Sequence, residues 1–216
     1  KKAEMGQKVE KDDTVNVVGK TKSKSYYAYY KGRGIITHSP SEHETDIAMR
    51  LAKDYGLTHV SPIGRLDKDS EGLIILSNDG RITGPLLNPD SETEKEYDVT
   101  VDKPVRGIFL RAMAGGVDIE GYRTKPAKVT GNKNNDKRFS IVLTEGKKHQ
   151  IRRMCAALGF QVQTLKRVQI VNISISKLKP NQYRAIKGKE LKEFLKNLDP
   201  RKSYIRGILK KSCSMS

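Results

Sequence analysis

Residues 64–77 read GRLDKDSEGLIILS, a charged loop that is followed at once by a continuous apolar run. A short apolar run of this kind is typical of a strand that is buried on both faces of a sheet. Gly64 and Gly72 bracket the loop and give its backbone conformational freedom. The pattern predicts a buried strand with a carboxylate-bearing loop at its start.

Around this stretch, strand-like runs outnumber helical ones. Apolar residues recur at helical spacing near residues 47–55, 82–87, 105–113, 151–158 and 191–198. Strand-like runs occupy residues 26–30, 35–37, 97–101, 125–130, 139–144, 162–165 and 168–175. The glycine turn at 32–34 predicts a hairpin, and the polar loop at 131–136 predicts a second one. Short turns between adjoining strands favour an α+β fold, with a largely antiparallel mixed sheet flanked by helices.

The charge balance indicates the class of partner. The 216 residues include 42 Lys and Arg against 25 Asp and Glu, which gives a formal net charge of +17. Such an excess favours nucleic acid, because cations neutralise phosphates and release their counterions. An anionic membrane surface is the competing partner, but every apolar run is far shorter than the roughly 18 residues of a membrane helix. With two cysteines and no apolar stretch behind the N-terminus, we expect no disulfide framework, no signal peptide and a reducing cytoplasm.

Three parts are expected along the chain. Residues 1–24 are rich in Lys and contain one small apolar cluster, which predicts a single strand with a charged flank. Residues 25–198 contain the periodic segments and form the main domain. Residues 199–216 are basic and end in a Ser-rich stretch, which is typical of a solvated tail.

Asp67 is the carboxylate in the charged loop that is most closely flanked by cations, with Arg65 and Lys68 beside it. A carboxylate in such surroundings stays ionised and oriented. It is therefore the first candidate for chemistry. The alternative is an ordinary Asx turn on a charged surface loop.

A second candidate segment runs from a strand through Gly146 into a helix. Residues 146–169 contain six Lys or Arg and no acidic residue. A helix N-terminus already offers backbone N–H groups and a positive dipole end, so Lys147, Lys148 and Arg152 predict a site for a phosphate or a carboxylate. The alternative is a solvated basic helix face.

Tyr97 opens a strand beside Lys95, and an aromatic ring next to a cation suits stacking on an unstacked base. The alternative is a tyrosine that packs against the sheet. His38 and His43 lie five residues apart with no cysteine pair nearby, so a zinc site is not expected.

Three motifs, at residues 62–73, 94–104 and 145–155, resemble in this order the pseudouridine synthases that act on ribosomal RNA. The similarity is to the RsuA/RluB/RluE/RluF-type family, above all to its large-subunit type F branch, and it covers residues 8–198. It implies the pseudouridine synthase catalytic fold for residues 25–198. Family members commonly begin with an S4-type RNA-binding module, so the resemblance implies that residues 1–24 are the end of such a module.

The resemblance also assigns roles to individual residues. It implies that Asp67 is the catalytic residue, that Tyr97 stacks on the target base, and that Arg152 pairs with Asp67. Arg65 would help to replace the nucleotide that leaves its stack. The further candidates for contacts with RNA are Lys31, Lys95, Lys147, Lys148, Gln150 and Arg153.

The first motif departs from the family pattern. Family members usually have Lys-Pro-x-Gly there, whereas this chain has Lys31-Gly32-Arg33-Gly34. The rigid turn that a proline supplies is therefore missing.

The expected reaction is the isomerisation of uridine to pseudouridine in ribosomal RNA, in particular 23S RNA of the large subunit, after the base has flipped out of its stack. It needs no net redox change and no hydrolysis, so neither a metal nor another cofactor is expected. Asp67 acts either as a nucleophile or as the base that removes a ribose proton. We expect a monomer whose partner is RNA. The alternatives are an idle RNA-binding or ribosome-assembly protein on the same fold, and an enzyme that also acts on transfer RNA.

Overall fold

The computed structural model describes residues 23–38 and 45–198 of the chain. The strands in this part are β1 (Tyr26–Lys31), β2 (Ser61–Ile63), β3 (Glu71–Ser77), β4 (Lys95–Val101), β5 (Asp118–Ile119), β6 (Tyr122–Arg123), β7 (Lys128–Gly131), β8 (Arg138–Leu143), β9 (Val162–Ile170), β10 (Ile173–Ser174) and β11 (Tyr183–Ala185). The helices are α1 (Ile47–Tyr55), α2 (Thr83–Leu87), α3 (Gly107–Ala114), α4 (Gln150–Ala157) and α5 (Gly188–Asn197). The predicted S4-type remnant and basic tail lie outside the described residues, apart from residues 23 and 24.

Nine of these strands form one mixed sheet. Seven of them follow the order β11-β1-β3-β9-β4-β8-β7, while β2 pairs with β3 and β10 pairs with β9. Every pairing in this sheet is antiparallel except β3 with β9, which is parallel. The predicted α+β fold on a largely antiparallel mixed sheet is therefore confirmed.

The parallel pair of β3 and β9 is a short seam that joins the two halves of the sheet. Only two residue pairs register across it, Glu71 with Lys166 and Gly72 with Arg167. Gly72 has φ +117°, and a Cβ atom there would lie 2.3 Å from the backbone oxygen of Arg167. Glycine at position 72 therefore allows β3 to approach β9 closely enough to close the seam.

β3 is buried on both faces, as the apolar run predicts. Leu73 and Ile75 pack into a cluster beneath α2 and α5, and Ile74 and Leu76 pack into another beneath α1. Because successive side chains of a strand point to opposite faces, one four-residue run supplies both cores. A third cluster, under α3 and α4, is built on β4 and β8.

Of the two predicted hairpins, one forms. β7 and β8 pair antiparallel around the loop at 131–136, as expected. Residues 35–37 form only an isolated bridge between Ile36 and Asp46, so the first hairpin is wrong. Both edges of β1 are already paired, with β3 and with β11, which leaves no position for a strand at 35–37.

Within residues 23–38 and 45–198, no helix is long and apolar enough to span a bilayer.

Candidate active site

A cleft of about 590 Å³ opens beside the seam. Its walls come from residues 63–70, residues 86–89 at the end of α2, and residues 143–151, which lead from β8 into α4. β4 and β9 contribute Lys95, Tyr97 and Arg167 to the same cleft. The three motifs that carry the family resemblance, at 62–73, 94–104 and 145–155, therefore all border one cavity.

The loop between β2 and β3, residues 64–70, is called the Asp67 loop. Its six consecutive backbone carbonyls from Arg65 to Ser70 each accept a hydrogen bond. The donors are the Arg167 guanidinium to Arg65 (3.3 Å), the Thr37 hydroxyl to Leu66 (2.9 Å), the Ser70 amide to Asp67 (3.1 Å), the Gly34 amide to Lys68 (2.9 Å), the Arg152 guanidinium to Asp69 (3.2 Å) and the Lys31 ammonium to Ser70 (2.7 Å). The backbone that carries Asp67 is therefore fixed from several sides, which is the condition for a preorganised functional group.

The carboxylate of Asp67 faces the cleft and is 40% exposed. Its Oδ1 lies 3.3 Å from Nε2 of His149, the residue that precedes α4. His149 has φ +53°, in the left-handed region. Asp67 is thus held by its backbone while its side chain stays accessible to a ligand.

Lys31 is fully buried, with 0% exposure. Its Nζ donates hydrogen bonds to the carbonyls of Gly32 (3.1 Å), Lys68 (3.4 Å) and Ser70 (2.7 Å). Burial lowers the pKa of this ammonium to about 8, even though the carboxylates of the Asp67 loop favour its charged form. Lys31 has no surface left for RNA, so the predicted RNA contact is replaced by support of the Asp67 loop.

The glycine turn after β1 is held without the proline that the family pattern predicts. The Gly32 N–H donates to Oδ1 of Asn181 at 3.1 Å, a bond that a proline at position 32 could not make. A Cβ atom at position 32 would lie 2.8 Å from the same oxygen. Gly34 adopts φ +83° and donates its N–H to the carbonyl of Lys68. The turn therefore still supports the Asp67 loop.

Arg152, in the first turn of α4, reaches the Asp67 loop but binds its backbone. Its Nη2 lies 3.2 Å from the carbonyl of Asp69 and 3.4 Å from Oγ of Ser70, and its Nη1 lies 3.3 Å from the carbonyl of Val162. The predicted pairing with the Asp67 carboxylate is not among these bonds, and the Asp67 carboxylate lies 3.3 Å from Nε2 of His149 instead. Arg152 positions the loop rather than the carboxylate itself.

Residues 144–149, which lead into α4, are called the α4 approach. Buried Glu145 accepts hydrogen bonds from the Tyr122 hydroxyl (2.5 Å), the Lys125 amide (3.0 Å) and Nε2 of Gln150 (2.6 Å). Gln150 also accepts the Lys147 N–H (2.9 Å) and is 4% exposed. Gln150 therefore anchors the α4 approach from inside, and the prediction that it binds RNA does not fit its burial.

The exposed part of the α4 approach is Gly146 to His149. It includes Lys147 and Lys148, both on the wall of the cleft. Arg153, which was expected to contact RNA as well, forms an ion pair with Glu120 next to the small β5–β6 sheet. Of the cations predicted in this segment, Lys147 and Lys148 are the two whose placement suits a phosphate.

Comparison with known proteins places the chain in a family. The sequence pattern of the family described as RNA pseudouridylate synthase matches residues 25–157, more than half of the chain.

The chain belongs to this family. It is 42% identical over 147 residues to the dual-specificity RNA pseudouridine synthase RluF of Escherichia coli K12, which covers 68% of this chain and 50% of that protein. It is 36% identical over 205 residues to the protein of the same name from Escherichia coli O6:H1, covering 92% of this chain and 69% of that protein. The chain thus spans about half the length of the first relative, and the resemblance to the RsuA/RluF type is confirmed.

A solved structure agrees with the family assignment. The crystal structure of a pseudouridylate synthase matches with a TM-score of 0.71 and 30% sequence identity, covering 79% of this chain and 74% of that one. The predicted pseudouridine synthase fold is therefore confirmed for the described part of this family member.

Tyr97 packs against the sheet, which is one of the two interpretations that its sequence allowed, and stacking on a base stays a prediction. The ring packs against two of the hydrophobic clusters and also lines the cleft. It lies opposite Arg167 on β9, where the pairing of β4 with β9 shifts register between Glu96 and Tyr97. Such a bulge re-aims side chains, and here it accompanies the side chains that reach the cleft.

Two cleft residues were missed by the sequence analysis, His149 and Arg167. His149 lies within the third motif, directly before Gln150, and was not singled out from the sequence. Arg167 lies two residues after Leu165 and so shares its strand face. A cation on the buried face of a strand could have marked Arg167 as a candidate from the sequence alone. Among the described residues, no group of three His, Cys, Asp or Glu is arranged to hold a metal ion.

Proposed function

We propose that this chain isomerises uridine to pseudouridine in ribosomal RNA, with the large-subunit RNA as substrate. One observation carries the proposal: the Asp67 carboxylate faces a cleft from a loop in which the six carbonyls from Arg65 to Ser70 are all hydrogen-bonded, with Tyr97 in the same cleft. An idle RNA-binding protein would have no use for an exposed carboxylate on a backbone that is fixed so firmly.

The reaction breaks the C1′–N1 bond of uridine, turns the base and joins C5 to C1′. Asp67 either attacks the nucleotide as a nucleophile or removes a ribose proton as a base. Both roles require an ionised carboxylate, and the exposure of Asp67 to the cleft allows either one. The atoms of substrate and product are the same, so no cofactor is consumed.

The target base must leave its stack to reach Asp67, which costs a few kcal/mol. Tyr97 offers a ring on which the flipped base stacks, and exposed Arg65 at the rim replaces the base in the stack. Lys147 and Lys148 bind phosphates and so offset the cost of flipping. These roles follow the placement of the side chains around the cleft.

Replacement of Asp67 tests the proposal. We expect Asp67→Asn to abolish pseudouridine formation and to leave folding and RNA affinity nearly unchanged, because the two side chains have almost the same shape. Asp69→Asn, in the same loop, is the matched control and should stay active, since the backbone carbonyl of Asp69 makes the bond that positions the loop. Turnover by purified Asp67→Asn protein that is free of wild type would overturn the proposal.

Replacement of Tyr97 tests whether its ring stacks on the flipped base. We expect Tyr97→Leu to slow turnover 10- to 100-fold, since stacking on an aromatic ring is worth roughly 1–3 kcal/mol per base. Tyr97→Phe keeps the ring and should retain most of the activity. A large fall in melting temperature for Tyr97→Leu, with normal turnover by the remaining folded protein, would assign the ring to the core alone.

A second candidate function is action on a second class of RNA, transfer RNA. It is supported by two relatives whose names call them dual-specificity RNA pseudouridine synthases. Mapping pseudouridines in ribosomal and transfer RNA, from cells with and without the protein, decides between one substrate and two.

We further propose that residues 1–24 and 199–216 add RNA contacts to the domain at 25–198. We also propose that the protein acts as a monomer in the cytoplasm.

A further inference from the structure

Arg167 is a buried cation on the wall of the cleft. It is 4% exposed, its Nε donates to the carbonyl of Leu73 at 2.7 Å, and its Nη1 donates to the carbonyl of Arg65 at 3.3 Å. Its Nη2 is buried without a hydrogen-bond partner. No ion pair between described residues includes Arg167.

A second cation lies nearby. Lys95 lines the same cleft from β4, two residues from Tyr97 and therefore on the same face of the strand. Its Nζ donates to the carbonyl of Thr93 at 3.2 Å. Burial and the adjacent charge of Arg167 lower the pKa of Lys95 to about 8.

Among the described residues, neither carboxylate on the wall of the cleft forms an ion pair with Lys95 or Arg167. Asp67 pairs with His149, and both oxygens of Glu145 are bound by Tyr122, Lys125 and Gln150. Two like charges that share a partly buried site are unfavourable unless negative charge joins them. The site therefore suits an anion that arrives with the substrate or forms during the reaction.

Two anions come with an RNA substrate: a phosphate and the detached pyrimidine. Phosphates lie on the outside of the nucleic acid and are met by the exposed Lys147 and Lys148 at the rim. Lys95 and Arg167 instead lie beside Tyr97, the ring on which the base would stack. When the C1′–N1 bond breaks, the electron pair leaves with the base and spreads over N1, O2 and O4. The position of the two cations fits this anion.

We propose that Lys95 and Arg167 stabilise the pyrimidine anion while it is detached from the ribose, Lys95 by contact with a carbonyl oxygen of the base and Arg167 by its charge from within the wall. This inference rests on the proposed function. Asp67 reacts with the ribose, either by bonding to C1′ or by removing a ribose proton. C5 then bonds to C1′ with an electron pair of the base, while the bond from Asp67 to C1′ breaks or, in the other case, the ribose regains its proton from Asp67. C5 finally loses its proton and N1 gains one. Preorganised charges act most strongly in a water-poor site where charge develops.

The experiment compares Lys95→Met with Lys166→Met under single-turnover conditions. Lys166 is the matched control, because it follows Leu165 on β9 but places its ammonium over the ring of Tyr30, away from the cleft. We expect Lys95→Met to lower the single-turnover rate about 100-fold, with RNA affinity and its salt dependence unchanged. Lys166→Met should react at the wild-type rate.

A substrate change sharpens the assignment. Sulfur accepts hydrogen bonds more weakly than oxygen, so RNA with 2-thiouridine or 4-thiouridine at the target should weaken the contact with Lys95. One of the two sulfur substitutions should lower the single-turnover rate less in Lys95→Met than in wild type. Two groups that contact each other show this coupling in a double-mutant cycle. A phosphorothioate next to the target should show no coupling.

The outcomes separate the inference from the proposed function. If wild type makes no pseudouridine in any RNA tested, the function itself fails. If wild type is active and Lys95→Met is equally active, the inference alone is overturned. Weaker binding with a smaller salt slope in Lys95→Met would assign the pair to a phosphate and also overturn it. Arg167→Lys keeps the charge, so it should retain more activity than Arg167→Met when the two variants have equal melting temperatures. If Arg167→Met does not fold, the comparison of Lys95→Met with Lys166→Met tests the inference instead.

Discussion

The two segments that face each other across the cleft are built in opposite ways. In the Asp67 loop, all carbonyls from residue 65 to residue 70 accept hydrogen bonds, and three of the donors are the cationic side chains of Lys31, Arg152 and Arg167. The α4 approach is anchored at its ends by Glu145 and Gln150 and is exposed between them. The segment that carries Asp67 is hydrogen-bonded along its backbone, whereas the segment that carries Lys147 and Lys148, the proposed phosphate contacts, is exposed to solvent.

This difference predicts different consequences of substitution. Groups that fix the Asp67 loop should affect both stability and the chemical step, because a small displacement of a reacting group is costly. Groups of the α4 approach should affect affinity and its salt dependence, because exposed cations act through counterion release.

Among the residues that support these two segments, the largest effect is expected from Lys31→Met. It leaves the carbonyls of Gly32 and Ser70 without their donor inside the protein, and an unsatisfied buried acceptor costs about 1–3 kcal/mol. For a domain of this size each kcal/mol lowers the melting temperature by about 2–4 °C, so a cost of about 2 kcal/mol or more for the two acceptors should lower it by at least about 4–8 °C. We also expect a loss of about 100-fold in turnover, since a small displacement of a reacting group is costly. Lys53→Met on the exposed face of α1 is the control and should change neither. Full activity of Lys31→Met would show that the loop does not need this clamp.

The same residue gives a pH dependence of stability. Lys31 releases its proton near pH 8 in the folded state, against an ordinary value of 10.5 in the unfolded chain. Between these values the unfolded state holds more protons, so the contribution of Lys31 to stability rises with pH, with about 1.4 kcal/mol for each pKa unit. We expect the stability of wild type relative to Lys31→Met to increase from pH 7 to pH 10. Thermal unfolding at several pH values measures it, and a constant difference would contradict the low pKa.

Arg152→Ala is expected to come next, with a 10- to 100-fold loss in single-turnover rate and a smaller loss in affinity. The variant removes the bonds to the Asp69 carbonyl and to Ser70 without touching Asp67. Arg152→Lys should restore part of the rate, and Arg153→Ala, whose guanidinium pairs with Glu120, should stay near wild type. A normal rate for Arg152→Ala would remove Arg152 from the set of positioning residues.

The smallest effect on chemistry is expected from changing Lys147 and Lys148 to Ala together. Affinity for matched and unmatched RNA should fall about 10-fold, and the salt slope should decrease by roughly 0.7 for each phosphate of single-stranded RNA that a lysine no longer neutralises. The single-turnover rate at saturating RNA should not change. The control changes Lys189 and Lys192 of α5 to Ala, which removes the same charge from another exposed surface. Equal salt slopes for the two double variants would mean that Lys147 and Lys148 contribute only to the overall positive potential of the protein and do not contact phosphates.

The fold was predictable where it depends on local pattern. The run at 73–76 indicated a strand buried on both faces, and the polar loop at 131–136 indicated the hairpin of β7 and β8. Partners distant in sequence were not predictable: β1 pairs Tyr26 with Ser77 and Tyr27 with Ala185. Periodicity identifies a strand but does not identify its neighbour, which is why a local hairpin at 35–37 was expected instead.

The candidate site was predictable through its motifs, which indicated Asp67, Tyr97 and the basic helix. Lys31 was misread because a lysine beside a glycine turn is usually exposed. Its burial depends on acceptors at residues 68 and 70, which fold back over it. Such a contact exists only in three dimensions, and the same holds for the bond between Arg167 and the carbonyl of Arg65.

The set of donors around the Asp67 loop also affects the order in which the site forms during synthesis. The donors come from as early as Lys31 and as late as Arg167, and Arg167 follows Arg65 by 102 residues. A growing chain therefore carries its carboxylate long before the strand that completes the support of the loop has left the ribosome. Contacts of this sequence separation form late and slowly. The arrangement of the candidate site therefore forms only after β9 has been made, so a shortened translation product that ends before β9 would contain Asp67 without the bond from Arg167 that supports its loop.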